Sequence, residues 1–416
     1  MLFLMLLTPL FDLVASDHMH KGNYRFCYMA TAMNIIRKPG SGTVNEISKK
    51  FTKRESQGRE LVFDVAKMPR DVLSKMLVVC GKVGSDSAEL YETKAKELEC
   101  DFILEKGRSW VLTQKTIRGA YDPSYHRGVL LIGDNKQLPA TQIAYHEVFG
   151  FTDWYLQDLD GDSIPDFPIG RIFGPPRTVL YHMDPLIIDS NIAIVFDSQP
   201  GRSSLYVEGL ARLGFDVEVL SRFTEKTSRL LSVSEFILQF SDGVLTHRIH
   251  GTPREWTTGN STILTHEQAA TIHFEGYPVV FSEACSTAQE GPLLRAFLNQ
   301  GALYIGSTLE TMNNLEPSDD WRMCPYSDGV KFGFLDLLDS LEMVGEVKMT
   351  VDREIAKNLS PKVLRDLQSV RNGKSNVLTE DQAVSACEWI LFGNPLRRTT
   401  VGQNPDYTPG RILVDT

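Results

Sequence analysis

A series of short apolar runs, each closed by a glycine or a polar loop and separated from the next by helical sequence, constrains this chain more than any other feature. The runs are MLVVC (76–80), VLLIGD (129–134), NIAIVFD (191–197), FDVEVL (215–220), VLTHRI (244–249), PVVFSEA (278–284) and ALYIGST (302–308). Apolar runs of this length between helices read as strands buried on both faces of a mostly parallel sheet. Helices are predicted over 87–98, 203–213, 266–273 and 291–300, with Gly214 and Gly301 as stops and Thr265 and Gln268 at capping-box spacing. A second such pair, Thr379 and Gln382, predicts a helix running to about Leu391. The expected fold class is α/β, as two stacked α/β subdomains: 76–175, then a larger one over 176–395. Residues 1–75 read as a preamble with a strand near 61–65, and 396–416 as a C-terminal tail.

Composition narrows the function classes. With 416 residues, 42% hydrophobic and 23% charged, the chain can bury substantial cores and is not a disordered one. A net charge of −10 supplies no global positive field, so nucleic acid is not an expected partner. No apolar run reaches the length of a spanning helix, so no transmembrane segment is expected. Six cysteines, at 27, 80, 100, 285, 324 and 387, show no CxxC pair, so neither a disulfide scaffold nor a zinc site is expected. Residues 1–16 have the apolar core and small-residue end of an export signal but lack a basic start and carry Asp12. They read as a cleaved signal, as a buried N-terminal segment, or as the product of a misassigned start.

In a doubly wound sheet, ligands meet the carboxyl ends of the strands. Two ends stand out: VLTHRI runs into His250-Gly251, and PVVFSEA runs into Cys285. A thiol that attacks a carbonyl needs a base or cation to favour the thiolate, and backbone N–H groups aimed at the developing oxyanion. Glycine lets the backbone come close enough to supply one. The plainer reading is a small core cysteine and an ordinary hydrogen-bonded histidine. His247 is a rival base, but alternation along a strand would turn it away from His250, and only His250 precedes glycine.

A separate acidic stretch, DLDGDSIPD (158–166), places Asp158, Asp160, Asp162 and Asp166 at positions one, three, five and nine of a loop, with Gly161 in the turn. Such a set concentrates hard oxygen ligands around one ion, and the carbonyl of Ile164 could add another. The ion of that chemistry is Ca²⁺ in a structural role. The usual Glu at position twelve is replaced by Ile169, so the loop is not an EF-hand. The alternative is a solvated acidic turn. A calcium loop points to a secreted or cell-envelope protein. No organic cofactor is expected.

The pair VLTHRIHG (244–251) and PVVFSEAC (278–285) resembles the signature of clan CD cysteine peptidases, an apolar strand ending in His-Gly and a second ending in Ala-Cys. The chain resembles the gingipain family most. VLLIGDNKQLPA (129–140), TDWYLQDLDGDSIPDFPIGRI (152–172), Trp256, GALYIGST (301–308) and LFGNPLRR (391–398) follow that family's motifs in order. The resemblance implies a caspase-like second subdomain and a cysteine endopeptidase acting on a peptide or protein substrate. Cys285 would be the nucleophile and His250 the general acid/base, with the N–H groups of Gly251 and Cys285 as the oxyanion hole. It also implies a substrate pocket drawing on Asp197, Glu283 and Trp256, with Asp197 favouring Arg or Lys substrates and Arg202 able to oppose it. Glu283 has a structural alternative, a carboxylate satisfied within the protein. Two other readings stay open: a non-catalytic relative that binds peptide in the same groove, and a Cys-dependent acyl transferase.

Overall fold

The computed structural model describes residues 64–106, 108–197, 204–239, 251–258, 261–309, 311, 320–324, 326–398 and 412–414, all within the compact unit Val44–Thr416. The strands are β1 (Asp64–Lys67), β2 (Met76–Cys80), β3 (Asp101–Leu104), β4 (Gly128–Ile132), β5 (Thr141–Tyr145), β6 (Val148–Thr152), β7 (Ile169–Ile172), β8 (Leu186–Asp189) and β9 (Ile192–Phe196). They continue as β10 (Asp216–Leu220), β11 (Phe236–Gln239), β12 (Glu255–Thr258), β13 (Ser261–Thr265), β14 (Val279–Ser282), β15 (Leu303–Ser307), β16 (Trp389–Phe392) and β17 (Ile412–Val414). Eleven of them form one sheet in the order β17-β10-β9-β11-β14-β15-β16-β7-β4-β2-β3. Every pairing in it is parallel except β15 with β16. The two α/β halves therefore lie edge to edge in a single mostly parallel sheet flanked by helices.

Alternation along the strands explains the layers. In β9, Ala193 and Val195 join one buried cluster while Ile194 and Phe196 join another; in β14, Val279 and Phe281 part from Val280 in the same way. The cluster holding Ile194, Val280 and Tyr304 also holds Met76, Val78 and Leu130 of β2 and β4, so one hydrophobic layer runs across both halves. The helices Ser85–Glu97, Pro176–Met183 and Pro292–Asn299 contribute to it. On the opposite face, Leu77, Val79 and Val129 pack with Ile117, while the helices Val344–Asn358 and Pro361–Arg371 cover the second half.

Two of the motifs noted in the sequence build the seam between the halves. Phe392 of β16 pairs with Arg171 of β7, and Gly393 N–H donates to the Arg171 carbonyl at 2.8 Å. A Cβ on Gly170 would lie 2.2 Å from the Gly393 carbonyl oxygen, so the backbones meet there only because residue 170 has no side chain. Fully buried Arg171 forms a two-pronged bond to Asp153, with Nε and Nη2 donating at 2.8 and 2.6 Å, and its Nη1 donates to the carbonyls of Gly133 and Leu138. The planar guanidinium thus satisfies a buried charge and ties the Gly133–Leu138 loop to the sheet.

Two expectations need correction, both at the last helix, and a third falls outside the described residues. The strand beside β14 is Phe236–Gln239, all four residues buried; the VLTHRI segment (244–249) lies outside the described residues. The largely apolar FILQ suits a strand covered on both faces. The helix expected to reach Leu391 stops at Cys387, because the aromatic and branched run Trp389–Phe392 enters the sheet as β16. Its start is not a Thr379–Gln382 capping box: the N–H groups of Thr379 and Glu380 donate to Asp366 Oδ2 instead. By contrast, the Thr265–Gln268 box forms with both of its bonds. Of the strand expected at 61–65, residues 64 and 65 belong to β1, which pairs antiparallel with β8. Among the described residues no helix is long and apolar enough to cross a membrane.

Candidate active site

The chain leaves β14 through Glu283, Ala284 and Cys285, and then turns sharply. Ser286 adopts a left-handed conformation with φ of 57°, a strained geometry for a residue with a Cβ and one that clusters where function demands it. The turn is pinned on all sides. Glu283 N–H donates to the Gln239 carbonyl at 3.0 Å, and Ala284 N–H to Gln239 Oε1 at 3.0 Å. Thr287 Oγ1 donates to the Ala284 carbonyl at 2.9 Å, and Ser286 N–H reaches the Leu309 carbonyl at 2.8 Å. Ser282 Oγ bridges Gln239 Oε1 and Thr287 Oγ1 at 3.0 and 3.1 Å. Buried polar groups cross-linked in this way hold one geometry for Cys285.

Gly251 lies directly against this turn. A Cβ there would meet Thr287 Cγ2 at 2.2 Å, Ala284 Cβ at 2.5 Å and the Cys285 carbonyl oxygen at 2.9 Å. Only a residue without a side chain permits that approach. Two of the sequence-predicted residues, Gly251 and Cys285, are thereby brought together; His250 and His247 lie outside the described residues. Cys285 is 6% exposed, and its Sγ accepts a hydrogen bond from Thr311 N–H at 3.3 Å, with Thr311 Oγ1 also at 3.3 Å.

The expected pocket residues separate. Asp197 follows β9 at the same level as the end of β14, since Phe196, Gln239 and Ser282 are in register across β9, β11 and β14. Two strand spacings, about 10 Å, lie between the β9 and β14 ends. Its neighbours 198–203, with Arg202, lie outside the described residues. Glu283 is fully buried and receives a bond from Lys331 Nζ at 2.5 Å, the structural alternative for this residue. Trp256 is a correction. It is wholly buried, stacks on Phe297 with ring centroids 5.1 Å apart, and donates to Tyr304 OH at 3.4 Å, so it is a core residue and not a substrate wall. Its apolar bulk is satisfied by the helix Pro292–Asn299 beneath the site.

Oxygen atoms of Asp158, Asp160 and Asp166 in the acidic loop converge within 4.8 Å of one another. Asp162 stands outside this trio, its Oδ1 accepting from Ile164 N–H at 2.7 Å. Convergent carboxylates are the donor set of a hard cation, and in that respect the residues fit calcium. One competing cation is already in place: Arg371 Nε donates to Asp158 Oδ2 at 2.6 Å. Burial, followed by the neighbouring carboxylates, raises the carboxyls of Asp162 and Asp166 above the usual range.

The remaining described cysteines are interior residues. Burial pushes the thiols of Cys80 and Cys100 up to about 12 and that of Cys387 well up, and no disulfide joins the described cysteines. Thr311 and Gln239 are site residues that no sequence signal marks. Gln239 ends β11 and Thr311 follows β15 without any motif, and their role arises from the neighbouring carboxyl ends of these central strands.

No family sequence model and no curated protein sequence matches the chain. Solved structures do. Gingipain R, an Arg-specific cysteine proteinase, superposes with a TM-score of 0.53 over 79% of this chain and 78% of its own, at 12% identity. A second structure, described simply as a protease, gives 0.52 over 78% of each chain at 16% identity. At such identities the likeness speaks for architecture, so the conclusion is one of fold: this chain has the caspase-like α/β fold of gingipain-type cysteine peptidases.

Proposed function

We propose that the protein is a cysteine endopeptidase. The observation that carries the reading is the seating of Gly251, the residue after His250, against the Ala284-Cys285 turn at the carboxyl end of β14. In the proposed cycle the Cys285 thiolate attacks a peptide carbonyl and a carbon–sulfur bond forms. The N–H groups of Gly251 and Cys285 stabilise the oxyanion. As the carbon–nitrogen bond breaks, His250 gives its proton to the leaving amine. Water then attacks the thioester, His250 takes the proton, and the carboxylic acid leaves with the thiolate regenerated. Asp197, close to the Cys285 turn in the sheet register, is the residue proposed to select Arg or Lys on the acyl side of the cut bond through a charge-assisted pair.

Asp158, Asp160 and Asp166 are proposed to hold a structural Ca²⁺, which would fix the loop entering β7 and take no part in the chemistry. A calcium-held loop suits a secreted or cell-envelope protein. A positional-scanning peptide library, run on wild type and Cys285→Ala with and without calcium, tests the reading. Cleavage after Arg or Lys by wild type alone is expected. No cleavage by wild type of any library member would sink the peptidase assignment, and a preference unaltered in Asp197→Asn would remove Asp197 from the pocket.

A further inference from the structure

We infer that Thr311 is a catalytic residue, one that holds the Cys285 sulfur in its thiolate form through two hydrogen bonds. The inference rests on the peptidase reading of Cys285. The chain leaves β15, makes a tight turn in which Ser307 Oγ donates to the Leu309 carbonyl at 3.0 Å and Leu309 N–H donates back to Ser307 Oγ at 3.1 Å, and returns past the nucleophile. Ser286 N–H then bonds the Leu309 carbonyl, so Leu309 and Thr311 both lie beside the Cys285 turn. This brings both polar atoms of Thr311 to the sulfur, N–H and Oγ1 each at 3.3 Å.

The two groups behave differently on ionisation. The backbone N–H can only donate, so it favours whichever form of sulfur accepts better, and that is the thiolate. The hydroxyl can accept from S–H in the thiol and rotate to donate once the proton has left. Both bonds therefore strengthen as charge appears on sulfur.

The interior cysteines provide the contrast. Cys100 Sγ faces the Leu73 carbonyl at 3.1 Å and Cys80 Sγ faces the Gly81 carbonyl at 3.6 Å. Carbonyl oxygens can only accept, and so hold those sulfurs as thiols, in the same direction as their burial. At Cys285 a comparably buried sulfur is met by a donor. A buried nucleophile without such a donor would stay protonated near neutral pH.

The test is the pH dependence of alkylation of Cys285 by iodoacetamide, followed on the Cys285 peptide by mass spectrometry, with Cys285→Ala as background. Thr311→Val removes the hydroxyl at nearly constant shape, and Thr311→Ser retains it. The expected result is a midpoint about one pH unit higher in Thr311→Val, hence about tenfold slower alkylation at neutral pH, with an unchanged rate at high pH. Thr311→Ser should behave as wild type. If the valine variant does not fold, Thr311→Ala is read against Thr311→Ser in the same way. An unmoved midpoint in the hydroxyl-less variant overturns the inference, as does an equal shift in the serine variant. Alkylation needs no peptide to be cut, so a wild type that alkylates at a lowered midpoint yet cleaves no library member defeats the peptidase reading and leaves the Thr311 contact standing.

Discussion

Replacing Gly251 by alanine puts the proposed site under the most direct strain, because the added atom has nowhere to go. Its Cβ would fall 2.2 Å from Thr287 Cγ2 and 2.5 Å from Ala284 Cβ, whereas carbon atoms in contact sit about 3.5–4.0 Å apart. The backbone at 251, or the Cys285 turn, must therefore move by more than about 1 Å. Overpacking of this kind costs about 1–3 kcal/mol of folding stability. A displacement of about 1 Å between reacting groups costs on the order of a hundredfold in turnover, so activity should fall further than stability suggests.

A second substitution shows where the clash lies. Thr287→Ser deletes Cγ2, the nearest obstacle, and keeps the Oγ1 bond to the Ala284 carbonyl. In that background Gly251→Ala should cost less, with a coupling of at least about 0.5 kcal/mol; relief is partial because Ala284 Cβ remains. The assay is denaturant unfolding of the four proteins of the cycle, alongside cleavage of the best library peptide. A Gly251→Ala protein as stable as wild type, or one penalised equally in both backgrounds, would mean that Gly251 does not rest on the Cys285 turn, and the peptidase reading would lose its main support.

Three further outcomes are expected. Asp352, whose carboxyl is pushed up to about 6 by burial, is paired with buried Lys348 on the same helix; Asp352→Leu alone should lose about 3–5 kcal/mol by stranding the lysine, while Lys348→Met with Asp352→Leu should be at least as stable as wild type. Since the folded state favours protonated Asp352, wild-type stability should fall as pH rises from the ordinary carboxylate range through about 6, and the double variant should be flat there by thermal melting. Calcium should raise the melting temperature near neutral pH and a chelator reverse it, with the effect fading on acidification as the raised carboxyl of Asp166 protonates; Arg371→Gln, which removes the competing cation from Asp158 Oδ2, should lower the calcium concentration needed. Ser286→Gly should stabilise the protein by about 1 kcal/mol by relieving the left-handed strain, a gain measurable by denaturant unfolding and absent if that conformation is not adopted in solution.

What could be read from residues alone follows from how each segment is covered. Strands buried on both faces must be apolar throughout, so β2, β4, β9, β14 and β15 announce themselves, while β10 does so by alternation. Strands that depart from this rule do so for long-range reasons. β7 carries Arg171, whose charge is acceptable only because Asp153, eighteen residues earlier, meets it in the interior. β3 lies at the sheet edge with its residues partly exposed and shows no continuous apolar run. β16 follows its helix with neither glycine nor proline between, so the apolar run reads as more helix until the sheet has a vacancy for it. The same distinction governs the site. Gly251 and Cys285 stand out because close backbone approach and nucleophilic chemistry each demand a particular residue type, while Trp256 fits a substrate wall and a core equally well by composition. Only the position of Phe297 and Tyr304 around its ring decides for the core. Thr311 is the limiting case: a threonine in a polar stretch carries no signal, and it acquires a role solely because the turn after β15 returns the chain to the sulfur. Residues whose chemistry is set by their own side chain can be found in a sequence, whereas those whose chemistry is lent by a neighbour distant in the chain emerge with the fold.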